Sequence, residues 1–276
     1  MSGAMTRRSA TLSLGWFGVL FVVLWSARAG ASEQARERLS PNATKSGVLV
    51  ELFTSQGCSS CPPADRFLSE LADRADLEVI PLSFHVDYWN YIGWTDPFSS
   101  PRWSDRQRRY AKVFGGDRIY TPQIVVAGRW EGVGSQRQEI SRLLERATAE
   151  PVLAQWNLST ELLSNGRLQL VLGANRLDPA LRSKKLKCWV AIVESDLVTL
   201  VRSGENASKR LRNDRVVRYL RKVLEFGPAA HSSDASFEIV LEDDWRRDRL
   251  SVVVFLQDSD SLRIYGATES AITTSE

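Results

Sequence analysis

Two cysteines three positions apart, followed at once by two prolines, constrain this chain more than any other feature in it. The segment Cys58-Ser59-Ser60-Cys61-Pro62-Pro63 follows an apolar run at 48–53, broken only by Glu51, and the turn Thr54-Ser55-Gln56-Gly57. Such a run suits a strand buried on both faces. After it, Phe67, Leu68, Leu71 and Ala72 recur at helical spacing, with Asp65, Arg66, Glu70 and Asp73 read as the water-facing side. Proline has no N–H and fits a helix only in its first turn, where that donor has no partner anyway. The cysteines are therefore expected at a helix amino terminus. There the unpaired N–H groups and the positive end of the helix dipole favour thiolate, the nucleophilic form. Cys58 is expected to attack and Cys61, less than a turn away, to resolve the mixed disulfide. A structural bridge and half of a metal site are the competing readings of the pair.

The next strand is expected at 77–84 and ends at His85-Val86-Asp87, which makes a strand–helix–strand unit with parallel strands. Six aromatics, Tyr88, Trp89, Tyr91, Trp94, Phe98 and Trp103, then crowd into sixteen residues. A polar helix is expected at 105–114, a hairpin at 124–134 and an amphipathic helix at 136–149. From Pro151 the pattern changes to short strands, at 156–163, 168–172, 187–194, 198–202, 237–241, 250–257 and 263–267, with Asn165-Gly166 as a hairpin turn. Many short strands without crossover helices indicate an antiparallel sandwich. The basic run 209–222 carries Val216, Val217, Leu220, Val223 and Leu224 just within and beyond it, spaced as one face of a helix with solvated charges.

The segment 47–63 with its helix resembles the active-site segment of thioredoxin-fold proteins. Thr121-Pro122, ahead of the strand at 123–127, matches the cis-proline loop that faces the dithiol in that fold. More narrowly, 54–63 together with 84–89 is similar to an uncharacterised family of secreted bacterial proteins that join a thioredoxin-like domain to an all-β carboxy-terminal one. The resemblance implies an α/β thioredoxin-like domain at 47–150, a mixed central sheet flanked by helices, followed by an antiparallel β-sandwich-like domain at 151–276. It implies thiol–disulfide exchange, with a cis Thr121–Pro122 bond docking an extended substrate beside Cys58. It also suggests Glu51 as the carboxylate that moves the resolving cysteine's proton, although the family's acid is Asp and sits one residue closer. A hydrogen-bonded structural Glu is the equal alternative.

Gln56-Gly57 stands where many thioredoxins have an aromatic, which opens that side of the site. The aromatic insertion is expected to wall it off, with Trp89, Trp94, His85 and Gln56 lining a substrate groove. The competing view packs the aromatics onto the core. Cys58, Cys61 and His85 would together supply three ligands, enough for Cu(I) and short of a closed zinc site. A non-catalytic binding module with a structural bridge is the remaining alternative. Cys188, in an apolar strand pattern, is expected to be a buried free thiol.

Composition places the chemistry. The chain has 276 residues, 43% hydrophobic and 25% charged, with a formal charge of +3. Residues 1–31 hold Arg7, Arg8 and Arg28 and no acid, so the remainder carries 33 residues of each sign. A neutral chain lacks the field for general nucleic-acid binding. Arg7-Arg8, an apolar run at 12–25 and Ala27-Arg28-Ala29-Gly30-Ala31 read as a secretory signal peptide cleaved after Ala29 or Ala31, too short to span a bilayer. Residues 32–46 read as a flexible lead-in. The expectation is an exported, secreted or periplasmic, thiol–disulfide oxidoreductase. It needs no cofactor beyond its own dithiol, acts on protein or small-molecule thiols, is recycled by a redox partner, and keeps no transmembrane span.

Overall fold

The computed structural model describes residues 44–74, 76–226 and 234–274. The expected signal peptide and the lead-in up to residue 43 lie outside them. In the first half, β1 (Thr44–Thr54) leads into α1 (Pro62–Asp73), β2 (Val79–His85), α2 (Pro101–Val113), β3 (Gln123–Val126), β4 (Trp130–Val133) and α3 (Arg137–Thr148). The second half contributes β5 (Ala154–Leu162), β6 (Arg167–Leu177), β7 (Leu186–Glu194), β8 (Leu197–Leu200) and β9 (Arg210–Asn213). It ends with β10 (Val216–Phe226), β11 (Ala235–Val240), β12 (Leu250–Asp258), β13 (Ile264–Ala271) and β14 (Thr273–Thr274). The described residues contain no helix long and apolar enough to cross a membrane.

These strands correct the expected architecture. The chain is mostly β and builds a closed six-stranded barrel, not an α/β thioredoxin-like domain followed by a β-sandwich. Around the barrel the order is β13-β12-β7-β10-β2-β1, and β1 returns to β13. Strands of both halves therefore share one hydrogen-bonded ring. Closure depends on the length of β1. Its first residues, 44–47, pair antiparallel with 267–270 of β13, while residues 50–53 of the same strand pair with β3. The end of the supposed lead-in is thus the stave that closes the barrel and removes an edge. Gly47 lets β1 run close beside the chain entering β2, since a Cβ there would lie 2.3 Å from the Glu78 carbonyl oxygen. On the other side of β2, Val216 of β10 pairs in parallel with Ser83.

The basic run is also corrected. Residues 210–213 and 216–226 are strands, not a helix. The pairing of β10 with β7 slips between Val217 and Tyr219 and again between Lys222 and Leu224. Each extra residue moves the next apolar side chain by one place, so a period of two imitates a helical one. Arg215, read as solvated, is buried and binds Glu269 at 2.5 Å and the Pro81 carbonyl at 3.0 Å.

Alternation of side chains along the staves divides the interior into three clusters. Leu49, Phe53, Leu82, Phe84, Ala191, Val193, Val217, Val253, Phe255 and Ala267 draw on all six barrel strands and meet Trp103 and Tyr110 of α2. The opposite faces of β7 and β12 pack Val190, Ile192, Val252 and Val254 against Trp156, Leu158, Leu168 and Leu170 of the sheet β11-β6-β5-β14. Val50 and Leu52 of β1 face Phe67, Leu68 and Leu71 of α1 and Ile140 and Leu144 of α3. Cys188 is a buried free thiol within the second cluster, and desolvation pushes its pKa up.

Candidate active site around the Cys58–Cys61 disulfide

β1 delivers Thr54 to the end of a buried strand, and the chain turns through Ser55, Gln56 and Gly57 into α1, whose amino-terminal cap is Cys61. Pro62 and Pro63 occupy the first turn, as their missing donors require. Cys58 and Cys61 form a disulfide with Cα atoms 5.4 Å apart. The Ser60 hydroxyl lies 3.3 Å from Cys58 Sγ, and the carbonyl oxygen of Thr121 lies 4.0 Å from it. The Thr121–Pro122 bond is cis. Of the residues expected to form a site, Cys58, Cys61, Thr121 and Pro122 thus stand together.

Reachability is where the structure departs from the expectation. Both cysteines have 0% of their surface exposed, whereas Ser59 and Ser60 between them are open to solvent. Two segments supply the cover. The aromatic insertion lays Trp89 and Ile92 against Gly57, where a Cβ would fall 3.3 Å from the Cβ of Trp89. Trp89 Nε1 donates to the Thr121 hydroxyl at 2.7 Å, and Trp94 Nε1 donates to the Gln56 side-chain carbonyl at 3.2 Å. These two tryptophans bind the dithiol turn and the Thr121 loop from the flank left small by Gln56 and Gly57.

The second cover comes from the loop between β8 and β9. Asn206, fully buried, donates through Nδ2 to the backbone carbonyls of Gln56 and Cys58, both at 2.9 Å. The Glu205 carboxylate accepts the backbone N–H of Ser59 at 2.9 Å. The Ser203 hydroxyl donates to the Gly93 carbonyl, which ties the two covers to each other. Asn213 of β9 accepts from Gln56 Nε2 at 2.9 Å. Sequence pattern reads 204–206 only as a turn. No local signal links Asn206 to a cysteine 148 positions away.

Behind the turn lies a buried polar set. Asp65 is not on the water-facing side of α1. It is buried and accepts the Thr54 hydroxyl at 2.8 Å. The missed signal is its spacing: Asp65 sits four residues after Cys61 and three before Leu68, on the buried face. Burial raises its pKa from 3.8 to about 6, with His85 and the Thr54 hydroxyl opposing the rise. Thr54 pairs with His85 across the parallel strands. His85 Nδ1 meets the Asp96 carboxylate at 2.7 Å, and the same carboxylate accepts the Gln56 N–H at 2.8 Å. Burial alone would lower the His85 pKa, but the Asp96 carboxylate outweighs it and holds the imidazole above its ordinary value. Burial likewise works against Asp96, yet His85 and the Gln56 and Phe98 amides hold it below the usual carboxylate range. His85 Nε2 is buried without a hydrogen-bond partner.

Glu51 stands elsewhere. Its carboxylate takes Arg106 Nε at 2.5 Å and the Tyr110 hydroxyl, and Gln257 Nε2 donates to that hydroxyl at 2.9 Å. Arg106 is itself buried and lies over the rings of Phe84, Tyr110 and Phe255. Glu51 neutralises a buried guanidinium in the barrel and makes no bond to either cysteine. Cys58 and Cys61, two of the three ligands read for copper, are bonded to each other here. Among the described residues no three His, Cys, Asp or Glu side chains stand close enough to hold an ion.

Fold and site together define a class: a β-barrel protein with a helix-terminal disulfide held under two interlocked covers. The chain belongs to DUF1223, a family described as protein of unknown function, whose model matches residues 49–257. It is similar to the crystal structure of protein AGR_C_4864 from Agrobacterium tumefaciens, with 26% identity and a TM-score of 0.61, over 81% of this chain and 93% of that one. A likeness to HBP35 of Porphyromonas gingivalis, at 14% identity and a TM-score of 0.58 over 84% of this chain and 76% of that one, concerns the fold alone. No curated protein matches.

Proposed function

We propose that the protein is an exported thiol–disulfide oxidoreductase working through Cys58 and Cys61. One observation carries the reading: the disulfide sits at the start of α1 with the Ser60 hydroxyl and the Thr121 carbonyl beside the sulfur of Cys58. In the oxidised form a substrate thiolate attacks Cys58 Sγ. The Cys58–Cys61 bond breaks, and Cys61 leaves as thiolate with the bonding pair. A second substrate thiolate then attacks the substrate sulfur of the mixed disulfide and releases Cys58. Two electrons pass from a dithiol substrate to the protein, and the substrate leaves as a disulfide. The reverse sequence reduces a disulfide substrate at the expense of the protein dithiol. Asp65, one turn after Cys61 and raised to about 6, is suited to hold or yield a proton near neutrality. This motif and the Thr121-Pro122 loop are the segments whose likeness to thioredoxin-type proteins supports the reading. The signal-like segment at 1–31 and the bridged state of the pair both suit an oxidising compartment.

Burial of both cysteines favours a second reading, a structural bridge that fastens the turn to α1. Reduction potential separates the two. A structural bridge lies below about −300 mV and resists glutathione, whereas an exchange catalyst equilibrates above that value. Cys58→Ser is expected to abolish reduction of a glutathione mixed disulfide, and Cys61→Ser to accumulate a covalent adduct on Cys58 visible by mass. Full activity in both variants would refute the assignment.

A further inference from the structure

We infer that the loop at 203–206 is a strap whose Asn206 and Glu205 are positioning residues for Cys58, governing its accessibility and its acidity. The inference deepens the exchange reading and rests on it for its purpose, although its physical content is testable without any substrate. Three contacts carry it. Asn206 spends both donors of its side-chain amide on the carbonyls of Gln56 and Cys58, residues on either side of Gly57, and its own Oδ1 accepts from Lys209 Nζ at 2.9 Å. Both residues that Asn206 holds belong to the turn that must shift before Cys58 can meet another sulfur in line. The Glu205 carboxylate takes the N–H of Ser59 next to Cys58. That donor would otherwise be free to stabilise a thiolate, and the carboxylate adds a like charge beside it. Ser203 anchors the strap to the aromatic cover at Gly93, and a Cβ on Gly204 would fall 3.3 Å from the Cβ of Trp94. The strap arrives from the two-stranded sheet β8-β9, which is separate from the barrel ladder. It can therefore lift without breaking a barrel hydrogen bond.

When the pair is reduced, a Cys58 thiolate repels Glu205, which loosens the strap. When the pair is oxidised that repulsion is gone and the strap seats. The test uses the full chain, reduced with dithiothreitol and then freed of it, with iodoacetamide as the probe and peptide mass mapping to follow Cys58. Asn206→Ala removes the two hydrogen bonds to the turn, and with them the one from Lys209, and is expected to speed alkylation of Cys58 at pH 7 by about tenfold or more. Glu205→Gln keeps an acceptor for Ser59 and removes only the charge. It is expected to lower the midpoint of the alkylation pH profile by about half a unit to one unit, with an unchanged thermal midpoint. The other charged groups near the turn, Lys209 on Asn206 and the Asp65, His85 and Asp96 set behind it, are the same in this variant. Should Asn206→Ala fail to fold, Glu205→Gln, an exposed side chain, still decides. An unmoved rate and an unmoved midpoint overturn the strap whatever the protein's activity. A moved rate or midpoint in a protein that exchanges with no disulfide keeps the strap and removes the exchange reading.

Discussion

Replacing Asp65 by asparagine is expected to stabilise the protein at neutral pH, which is the reverse of what removing a hydrogen-bonded charge usually does. The carboxyl accepts one hydroxyl, from Thr54, and is otherwise desolvated, so its pKa stands at about 6 against 3.8 unfolded. The sign follows from proton counting. Between pH 4 and 6 the unfolded chain has released this proton while the folded chain keeps it, so the folded state loses stability as pH rises through that window. At about 1.4 kcal/mol per unit, two units amount to a destabilisation of roughly 3 kcal/mol, complete above pH 6 and absent below pH 4. Asparagine retains an acceptor for Thr54 and carries no charge to desolvate. Part of the gain is returned because the carboxylate also supports the charged form of His85, leaving an expected 2–3 kcal/mol at pH 7 on the order of the same linkage. Urea unfolding of the oxidised wild type and the variant at pH 4, 5, 6 and 7, with equal m-values, measures it. A variant less stable than wild type at pH 7, or a difference that stays flat from pH 4 to 7, refutes the description of Asp65 as a poorly compensated buried acid. The same variant probes its service to Cys61. If Asp65 exchanges a proton with that thiol, the pH profile of disulfide reduction loses its inflection near 6.

Two further outcomes follow from the barrel. Glu51→Gln leaves Arg106 charged and unpaired among aromatic rings, and is expected to cost about 3–5 kcal/mol in urea unfolding while leaving the Cys58–Cys61 potential unchanged. A shifted potential would instead tie Glu51 to the dithiol. Gly47→Ala drives a Cβ into the Glu78 carbonyl at the point where β1 turns to close the ring, with an expected loss of about 1–3 kcal/mol read as a lowered thermal midpoint.

Local chemistry was legible in the sequence wherever a residue's role depends on its neighbours in the chain. The prolines after Cys61 placed the helix start, and alternation placed β5, β7, β8, β11 and β12 within a residue or two, while β6 and β13 run four or five residues further than expected. Strand partners were not legible. The pairing of 44–47 with 267–270 joins segments more than two hundred residues apart, and nothing in a polar tetrapeptide announces it. The same holds for β10, whose two register slips disguised a strand as a helix face. Asp65 shows the limit within a single helix, where spacing put it on the buried face and polarity argued it off. The sequence by itself determined a dithiol at a helix terminus, because capping, proline sterics and the helix dipole act over a few residues. Only the tertiary structure decided that the sheet closes and that Asn206 and Trp89 bind the turn carrying the two cysteines and the Thr121 loop beside it, because β-ladder bonds and buried amide contacts pair groups without regard to their distance along the chain.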